Sequence, residues 1–387
     1  KYSVASDQTY ASCTGIGTAT DTNIMIADVY YKNGKEVHKK QFATALGSPK
    51  IKYCQPPKKA DISVDNYILR VCYGDFSCEF REGMISSIKR RGRVLLDSPM
   101  RLNIHRAYID NDGIDGLFPR HIEEWKTALL DRFYFNMFDI DVEEGEERVC
   151  VTVSGSYTAN SLYSGFHTKI IYEVFPSGVI LVSLRCEPYG DLPSVLPRFG
   201  VVLENSREYD RVRWLGRGPL ENYPDSSANA PVGIYERGIG ELNTDYDYPQ
   251  DTGNRELTYA LTLTDSRGNS GLSVVGSDSF SFSYHGFALD NLTLARHKNE
   301  LVPSEVNYLY VDYKMRGIGS RSCGPDPEEK YEFHPHKFAF SFALCDTDFN
   351  GALELSRMDF GRKTEPLSQT YIYKKTEKIA QIADCDL

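Results

Sequence analysis

Apolar and polar residues alternate with a period of two in most of the patterned segments of the chain. Three clear examples are Phe76/Cys78/Phe80, Val149/Val151/Val153 and Phe338/Phe340/Phe342. This alternation is typical of β-strands that bury one face against a core and expose the other. An Asn33-Gly34 pair lies between the strand-like segments 24–31 and 36–42, which predicts a hairpin with a type I′ turn. The pattern therefore predicts a protein built mainly of antiparallel strands.

Helical spacing is confined to two short stretches. Apolar residues recur three to four positions apart in 121–133, around Trp125, and again in 289–297. Each stretch predicts one short amphipathic helix. Many short strands with so little helix favour an all-β sandwich over a sheet wrapped in helices.

A stiff, polar connector divides the chain. The segment 55–59 reads Gln-Pro-Pro-Lys-Lys, and no comparable break follows before residue 344. We therefore predict a hairpin segment over 1–60, one large β domain over 61–345, and a C-terminal tail over 346–387. Self-similarity at a period of 20–50 residues is not visible, which argues against a propeller or solenoid.

Composition and charge narrow the functional classes. The 387 residues carry a net charge of 44 − 54 = −10 and 41% hydrophobic residues, so we expect a globular protein that binds neither nucleic acid nor an anionic membrane. No apolar run approaches the ~20 residues of a membrane span, and no leader peptide is recognisable. The nine cysteines form no C-x-x-C pair, which predicts reduced core thiols and a cytoplasmic protein.

Two metal-like patterns can be weighed from their spacing. An acidic run at 110–115 resembles a calcium loop, but Tyr108 and Pro119 stand where an EF-hand needs acidic ligands, so a tight turn is favoured. His334 and His336 share one face of a strand, but no third ligand is evident. We therefore predict no metal site in this chain. His297 is either a general acid or base or a structural histidine.

Two constrained loops remain after the common catalytic motifs are excluded. The sequence has no nucleophile elbow and no phosphate-binding loop. Segment 214–225, WLGRGPLENYPD, concentrates glycines, prolines, an arginine and carboxylates. Segment 317–326, GIGSRSCGPD, is a second glycine-rich loop. Constrained loops of this kind often carry binding groups.

Six motifs in order resemble the C-terminal β domain of the β-galactosidases of glycoside hydrolase family 2. They are R-A-x-x-D-N-D at 106–112, E-W-K at 124–126 with L-D-R at 130–132, G-x-G-P-x-E-N-Y-P-D at 216–225, P-Q-D-x-G-N-R at 249–255, A-R-H at 295–297 and G-x-G-x-x-S-C-G at 317–324. The resemblance covers about 62–344. It implies a galactose-mutarotase-like supersandwich, and it implies that 1–60 is the end of a preceding β-sandwich domain or a linker.

The resemblance also implies an enzymatic activity, and it implies that the catalytic residues lie outside this chain. It implies retaining hydrolysis of a β-galactoside by glutamates in a TIM barrel, and residues 1–60 are too few for such a barrel. The chain is then a C-terminal domain or small subunit without catalytic residues of its own, inactive alone and partnered with the barrel in a homo- or hetero-oligomer. No cofactor is expected in this chain, and the resemblance is compatible with a Mg or Na ion elsewhere in the full enzyme.

The site residues follow from the same resemblance. It places Cys323, Arg321 and His297 at the sugar pocket, with cysteine where some members carry a stacking tryptophan. It assigns a structural role in the loops to Arg106, Asp110, Asn111, Asp112, Glu221, Asn222, Asp225, Asn254 and Arg255. Glu221 and Asp225 should be at least half-buried and held by arginines or backbone N–H groups. The alternative is a free-standing carbohydrate-binding or mutarotase-like protein.

Overall fold

The protein is predominantly β, with strands in two main sheets that share one core. The computed structural model describes residues 2–6, 9–16, 24–31, 36–43, 51–53, 56–113, 120–160, 162–319 and 326–360. A four-stranded antiparallel sheet forms at the start, in the order β1-β2-β3-β4. Its strands are β1 (Tyr2–Ser6), β2 (Thr9–Ile16), β3 (Ile24–Tyr31) and β4 (Glu36–Ala43). β3 and β4 pair as the predicted hairpin, while the Asn33-Gly34 turn lies outside the described residues.

The exposed connector 56–59 leads into a five-stranded antiparallel sheet, in the order β10-β9-β8-β7-β6. A two-residue strand, β5 (Ile51–Lys52), precedes the connector. The five strands are β6 (Asp61–Asp65), β7 (Ile68–Tyr73), β8 (Phe76–Arg81), β9 (Met84–Arg90) and β10 (Arg93–Leu96). Phe76, Cys78 and Phe80 are buried on one face of β8, as their alternation predicts.

A twelve-stranded sheet forms the body of the protein. Its main path is β11-β16-β21-β20-β22-β15-β14-β13-β12, and β17, β18 and β19 branch from β20. The strands that precede β17 in the sequence are β11 (Arg101–Asn103), β12 (Tyr134–Glu144), β13 (Val149–Thr158), β14 (Gly165–Val174), β15 (Ile180–Tyr189) and β16 (Arg198–Ser206). The others are β17 (Arg211–Arg217), β18 (Val232–Gly238), β19 (Arg255–Thr264), β20 (Ser270–His285), β21 (Val306–Met315) and β22 (Phe338–Cys345).

Strand β22 joins the two halves of this large sheet. It pairs with β15 from Ile180↔Leu344 to Cys186↔Phe338, and with β20 from Ser273↔Cys345 to Gly276↔Phe342. Its phenylalanines point to the buried face, as predicted. The five-stranded sheet packs on this face. The rings of Phe80 and Tyr172 lie 4.9 Å apart, and both belong to the common core. The predicted all-β supersandwich is confirmed.

The helices are shorter and more numerous than predicted. The first spans Arg120–Thr127 (α1) because Leu129 adopts a left-handed φ of 52°, so a separate 3₁₀ turn covers Leu130–Arg132. The second predicted helix is α3 (Leu289–Leu294), which ends before His297. Two helices were not predicted, α2 (Ile239–Leu242) and α4 (Phe349–Leu355).

The segment after β22 covers the opposite face of the sheet. Ala352 of α4 and Phe360 join Phe175 in a second apolar cluster, against which Tyr53 packs. A last short strand, β23 (Met358–Asp359), pairs with β5 in parallel. The domain boundaries at 60 and 345 stay predictions. In the described part of the chain, no helix has the length and apolar character needed to span a membrane.

Candidate functional site

The segments that contain Arg106 and Arg316 meet at a buried ion network. Arg106 donates from Nη2 to Asp112 at 2.8 Å, and Arg316 donates from Nη1 to the same carboxylate oxygen at 3.0 Å. All three side chains are fully buried. Glu332 accepts two further bonds from Arg316, at 2.6 and 3.0 Å. Each buried charge therefore has a partner, as burial requires.

Asp112 is the centre of this network. Its other oxygen accepts from the Ile109 backbone N–H at 3.1 Å and from Arg106 Nε at 3.3 Å. The described part of the acidic run, 110–112, therefore forms a 3₁₀ turn closed by the Asp112 side chain. Asp110 is exposed. Among the described residues, no group of three or more metal-binding side chains is present.

The same network holds both flanks of the glycine-rich segment 317–326. On one flank, half-buried Asp225 accepts from the backbone N–H groups of Ile318 and Gly319, at 3.0 and 2.7 Å. Asn111 donates to the Ile318 carbonyl at 2.7 Å. Gly319 has a φ of 116°, and a Cβ at this position would clash with Asn111 Nδ2, so the position needs glycine.

On the other flank, Asp326 is held from two sides. Its carboxylate is 2.7 Å from His121 Nε2 on α1 and 3.2 Å from Arg316 Nη2. His121 stacks on Trp125, which stacks in turn on Tyr108. The helix containing the E-W-K motif therefore supports the end of the glycine-rich segment. Arg321 and Cys323 lie outside the described residues.

Two asparagines connect the loops 216–225 and 249–255. Asn254 Nδ2 donates to the Asn222 carbonyl at 2.8 Å, and the Asn222 backbone N–H donates to the Asn254 carbonyl at the same distance. Asn222 Oδ1 accepts from the backbone N–H of Glu256 at 2.9 Å. Both asparagines are buried. They replace strand pairing where the two loops have no regular structure.

Glu221 links the same two loops through its carboxylate. It accepts from the Tyr246 hydroxyl at 2.6 Å, the Thr252 hydroxyl at 3.0 Å and the Gly253 backbone N–H at 2.7 Å. Like Asp225, Glu221 is half-buried, and backbone N–H groups donate to both carboxylates. Such a carboxylate is better suited to fixing a loop than to moving a proton.

Arg255 is bonded to backbone carbonyls and not to a carboxylate. Its guanidinium donates to Leu242, Gly253 and Pro219 at 2.7–2.9 Å, and it lies 5.7 Å from the Trp214 ring. Burial lowers the pKa of Arg255 to about 10. Its role is to connect α2 with both loops.

A second buried ion pair was missed by sequence reasoning. Arg198 on β16 pairs with Asp312 on the neighbouring strand β21, and its Nη1 lies 3.8 Å from Asp251. Tyr223 donates its hydroxyl to Asp251 at 3.0 Å. Asp251 and Tyr223 lie inside the recognised motifs, so the motifs could have identified these two residues. Nothing in the sequence pattern marks Arg198 or Asp312, because each is one charged residue in a largely apolar strand.

Glu256 is a second residue that the sequence did not single out. It directly follows the 249–255 motif, and its Oε1 accepts from Asn254 at 2.7 Å and Ser281 at 2.9 Å. Burial raises the pKa of Glu256 to about 7, although both hydrogen bonds act to lower it. The cause is desolvation of the carboxylate by the surrounding protein.

The histidines divide into buried and exposed groups. Burial lowers the pKa of His105 to about 4 and that of His285 to about 3, so both are neutral near pH 7. His297 is exposed on the segment after α3. His334 and His336 are also exposed, and they precede β22 instead of sharing a face of a strand. The structure therefore does not bring His297 to the ion network.

The motifs match one family along most of the chain. A family model described as "Beta galactosidase small chain" matches residues 73–344. The chain belongs to this family. Among curated relatives, this chain is 30% identical over 286 residues to a protein named Beta-galactosidase from Actinobacillus pleuropneumoniae, covering 73% of this chain and 27% of that protein. A Beta-galactosidase from Arthrobacter sp. (strain B7) is 36% identical over 260 residues, covering 61% and 25%.

The chain spans little more than a quarter of the length of the curated relatives it matches. Among solved structures, a galactose 1-epimerase from Lactobacillus acidophilus NCFM aligns with a TM-score of 0.36 and 8% identity, over 74% of this chain and 98% of that one. That score adds nothing to the family assignment.

Proposed function

We propose that this protein is the C-terminal domain or small subunit of a retaining β-galactosidase of glycoside hydrolase family 2. In this proposal it supplies part of the wall of the sugar pocket and an assembly surface for the barrel that carries the catalytic glutamates. The relatives named Beta-galactosidase support the assignment, since their additional length leaves room for such a barrel.

The observation that carries the pocket-wall role is the double anchoring of segment 317–326. Asp225 holds one flank by two backbone hydrogen bonds, and Arg316 with His121 holds the other through Asp326. A short loop whose two flanks are held by charged side chains is a preorganised support for one or two side chains. Arg321 and Cys323 belong to that loop, and we propose that they face the sugar. We also propose that His297 lies at the sugar pocket once the chain is assembled with the catalytic barrel.

The catalytic half of the proposal is tested by turnover of a chromogenic β-galactoside. The purified chain should give none, because the proposal places the glutamates elsewhere. Adding this chain to the Actinobacillus relative deleted of its matching region should restore hydrolysis. The variant Asp225→Ala should restore less, while Asp110→Asn, an exposed change in a neighbouring loop, should restore as much as the wild type.

The outcomes separate this proposal from a free-standing sugar protein. Turnover by the chain alone, after exclusion of host enzyme, would refute it. So would interconversion of galactose anomers by the chain alone, measured by polarimetry, because that activity needs an acid–base pair within this fold.

A further inference from the structure

A cleft separate from the anchored loop opens between α2 and the segment after α3. Its volume is about 360 Å³, within the ~300–1,000 Å³ typical of small-molecule sites. One wall comes from the loop 243–252, and the other comes from Phe287, Leu292 and Leu301. This cleft plays no part in the function proposed above.

The lining combines flat apolar surface with neutral hydrogen-bonding groups. Tyr246 and Phe287 contribute aromatic rings, and Leu292 and Leu301 contribute aliphatic surface. Gln250 contributes an amide, whereas the Asn243 amide donates to the backbone carbonyls of Ile239 and Tyr284, both at 3.3 Å. Such a mixture suits a ligand with both a C–H face and a ring of hydroxyls.

Charge restricts the ligand further. In the described part of the chain, no lysine, arginine or histidine lines the cleft, which disfavours phosphate and carboxylate ligands. The one acidic lining residue, Asp245, is an exposed group paired with Lys298 at 3.1 Å. A cationic ligand would therefore meet little uncompensated negative charge. A neutral ligand remains.

The wall is fixed before any ligand arrives. Glu221 accepts from the hydroxyls of Tyr246 and Thr252, and the Thr252 hydroxyl accepts from the Thr244 N–H at 2.8 Å. The Tyr246 ring therefore cannot turn away without breaking a charge-assisted hydrogen bond. Preorganisation of this kind reduces the entropy lost on binding.

We propose that this cleft is a non-catalytic binding site for a single neutral hexopyranose unit. The aromatic rings of Tyr246 and Phe287 would contact the C–H face, and the amide of Gln250 would bond the hydroxyls. The site is carried by this chain alone, so it stands or falls independently of assembly with a catalytic barrel.

The test is direct binding of methyl β-D-galactopyranoside to the purified chain, by saturation-transfer NMR and titration calorimetry. We expect a Kd on the order of 1 mM. Phe287→Ala and Gln250→Ala should each weaken binding at least about tenfold, whereas Tyr163→Ala, which removes a 92% exposed tyrosine elsewhere, should not. Thermal unfolding and far-UV spectra of each variant confirm that it is folded.

Three results would overturn the proposal. The first is no saturation transfer to the sugar at concentrations on the order of 10 mM. The second is binding that both cleft variants retain at full strength. The third is binding of inorganic phosphate in competition with the sugar, since the lining offers phosphate no cation.

Discussion

Replacing Asp112 by asparagine should damage the protein out of proportion to the size of the change. The substitution keeps the shape of the side chain and removes one charge. One carboxylate oxygen accepts from Arg106 Nη2 and Arg316 Nη1, and the other accepts from Ile109 N–H and Arg106 Nε. Whichever way the amide turns, its NH₂ group faces two donors.

The expected cost follows from burial. The side chains of Asp112, Arg106 and Arg316 are 0% exposed, so solvent cannot compensate the lost charge. Removing one partner of a buried ion pair costs about 3–5 kcal/mol. Glu332 still neutralises Arg316, so the main loss falls on Arg106. At roughly 2 °C per kcal/mol for a domain of this size, we expect Tm to fall by roughly 6–10 °C.

Urea unfolding and thermal melts of the purified variant measure this cost. Asp110→Asn is the matched control, because Asp110 lies two residues away and is exposed. It should change the free energy of unfolding by less than about 0.5 kcal/mol. The reasoning fails if Asp112→Asn lies within about 1 kcal/mol of the wild type, or if the two variants lose equal stability.

Two further predictions concern a titrating carboxyl and the thiols. Burial raises the folded-state pKa of Glu256 from 4.5 to about 7, so the folded protein binds more protons than the unfolded chain in that window and stability falls as pH rises through it. As pH rises from 4.5 to 7, the free energy of unfolding of Glu256→Gln should therefore increase relative to that of the wild type by about 1–3 kcal/mol, as measured by urea titration. Parallel curves of stability against pH for the two proteins would contradict this. In timed alkylation mapped by mass spectrometry, Cys323 should label faster than Cys78 and Cys186, which are fully buried with raised pKa values; equal rates would count against a pocket position for Cys323.

The sequence predicted those features that depend on neighbours along the chain. The alternation at Val149, Val151 and Val153 identified β13 and its buried face, because side-chain direction in a strand follows position alone. The helix around Trp125 was found but drawn too long, since the left-handed backbone at Leu129 has no apolar signature. Helix α4 was missed because it is under two turns long and its packing partners are distant in sequence.

The sequence motifs identified residues of the site but not the contacts between them. Motif matching assigned Glu221 and Asp225 to a structural role, and both side chains hold loop backbone. It could not supply Arg198 with Asp312, which are 114 residues apart and meet only because β16 pairs with β21. Nor could it supply the raised pKa of Glu256, since desolvation is a property of the folded surroundings.

The position of β22 sets the order in which the protein can be completed during synthesis. The meander β12–β15 ends at Tyr189, and the strand that seals its open edge begins at Phe338. At about 5–20 residues per second, a ribosome needs roughly 7–30 s to make the intervening stretch. Throughout that interval the long, apolar edge of β15 presents unpaired backbone groups, a template for aggregation. A stop codon just before β22 would leave this edge unpaired permanently and would divide the twelve-stranded sheet into two parts.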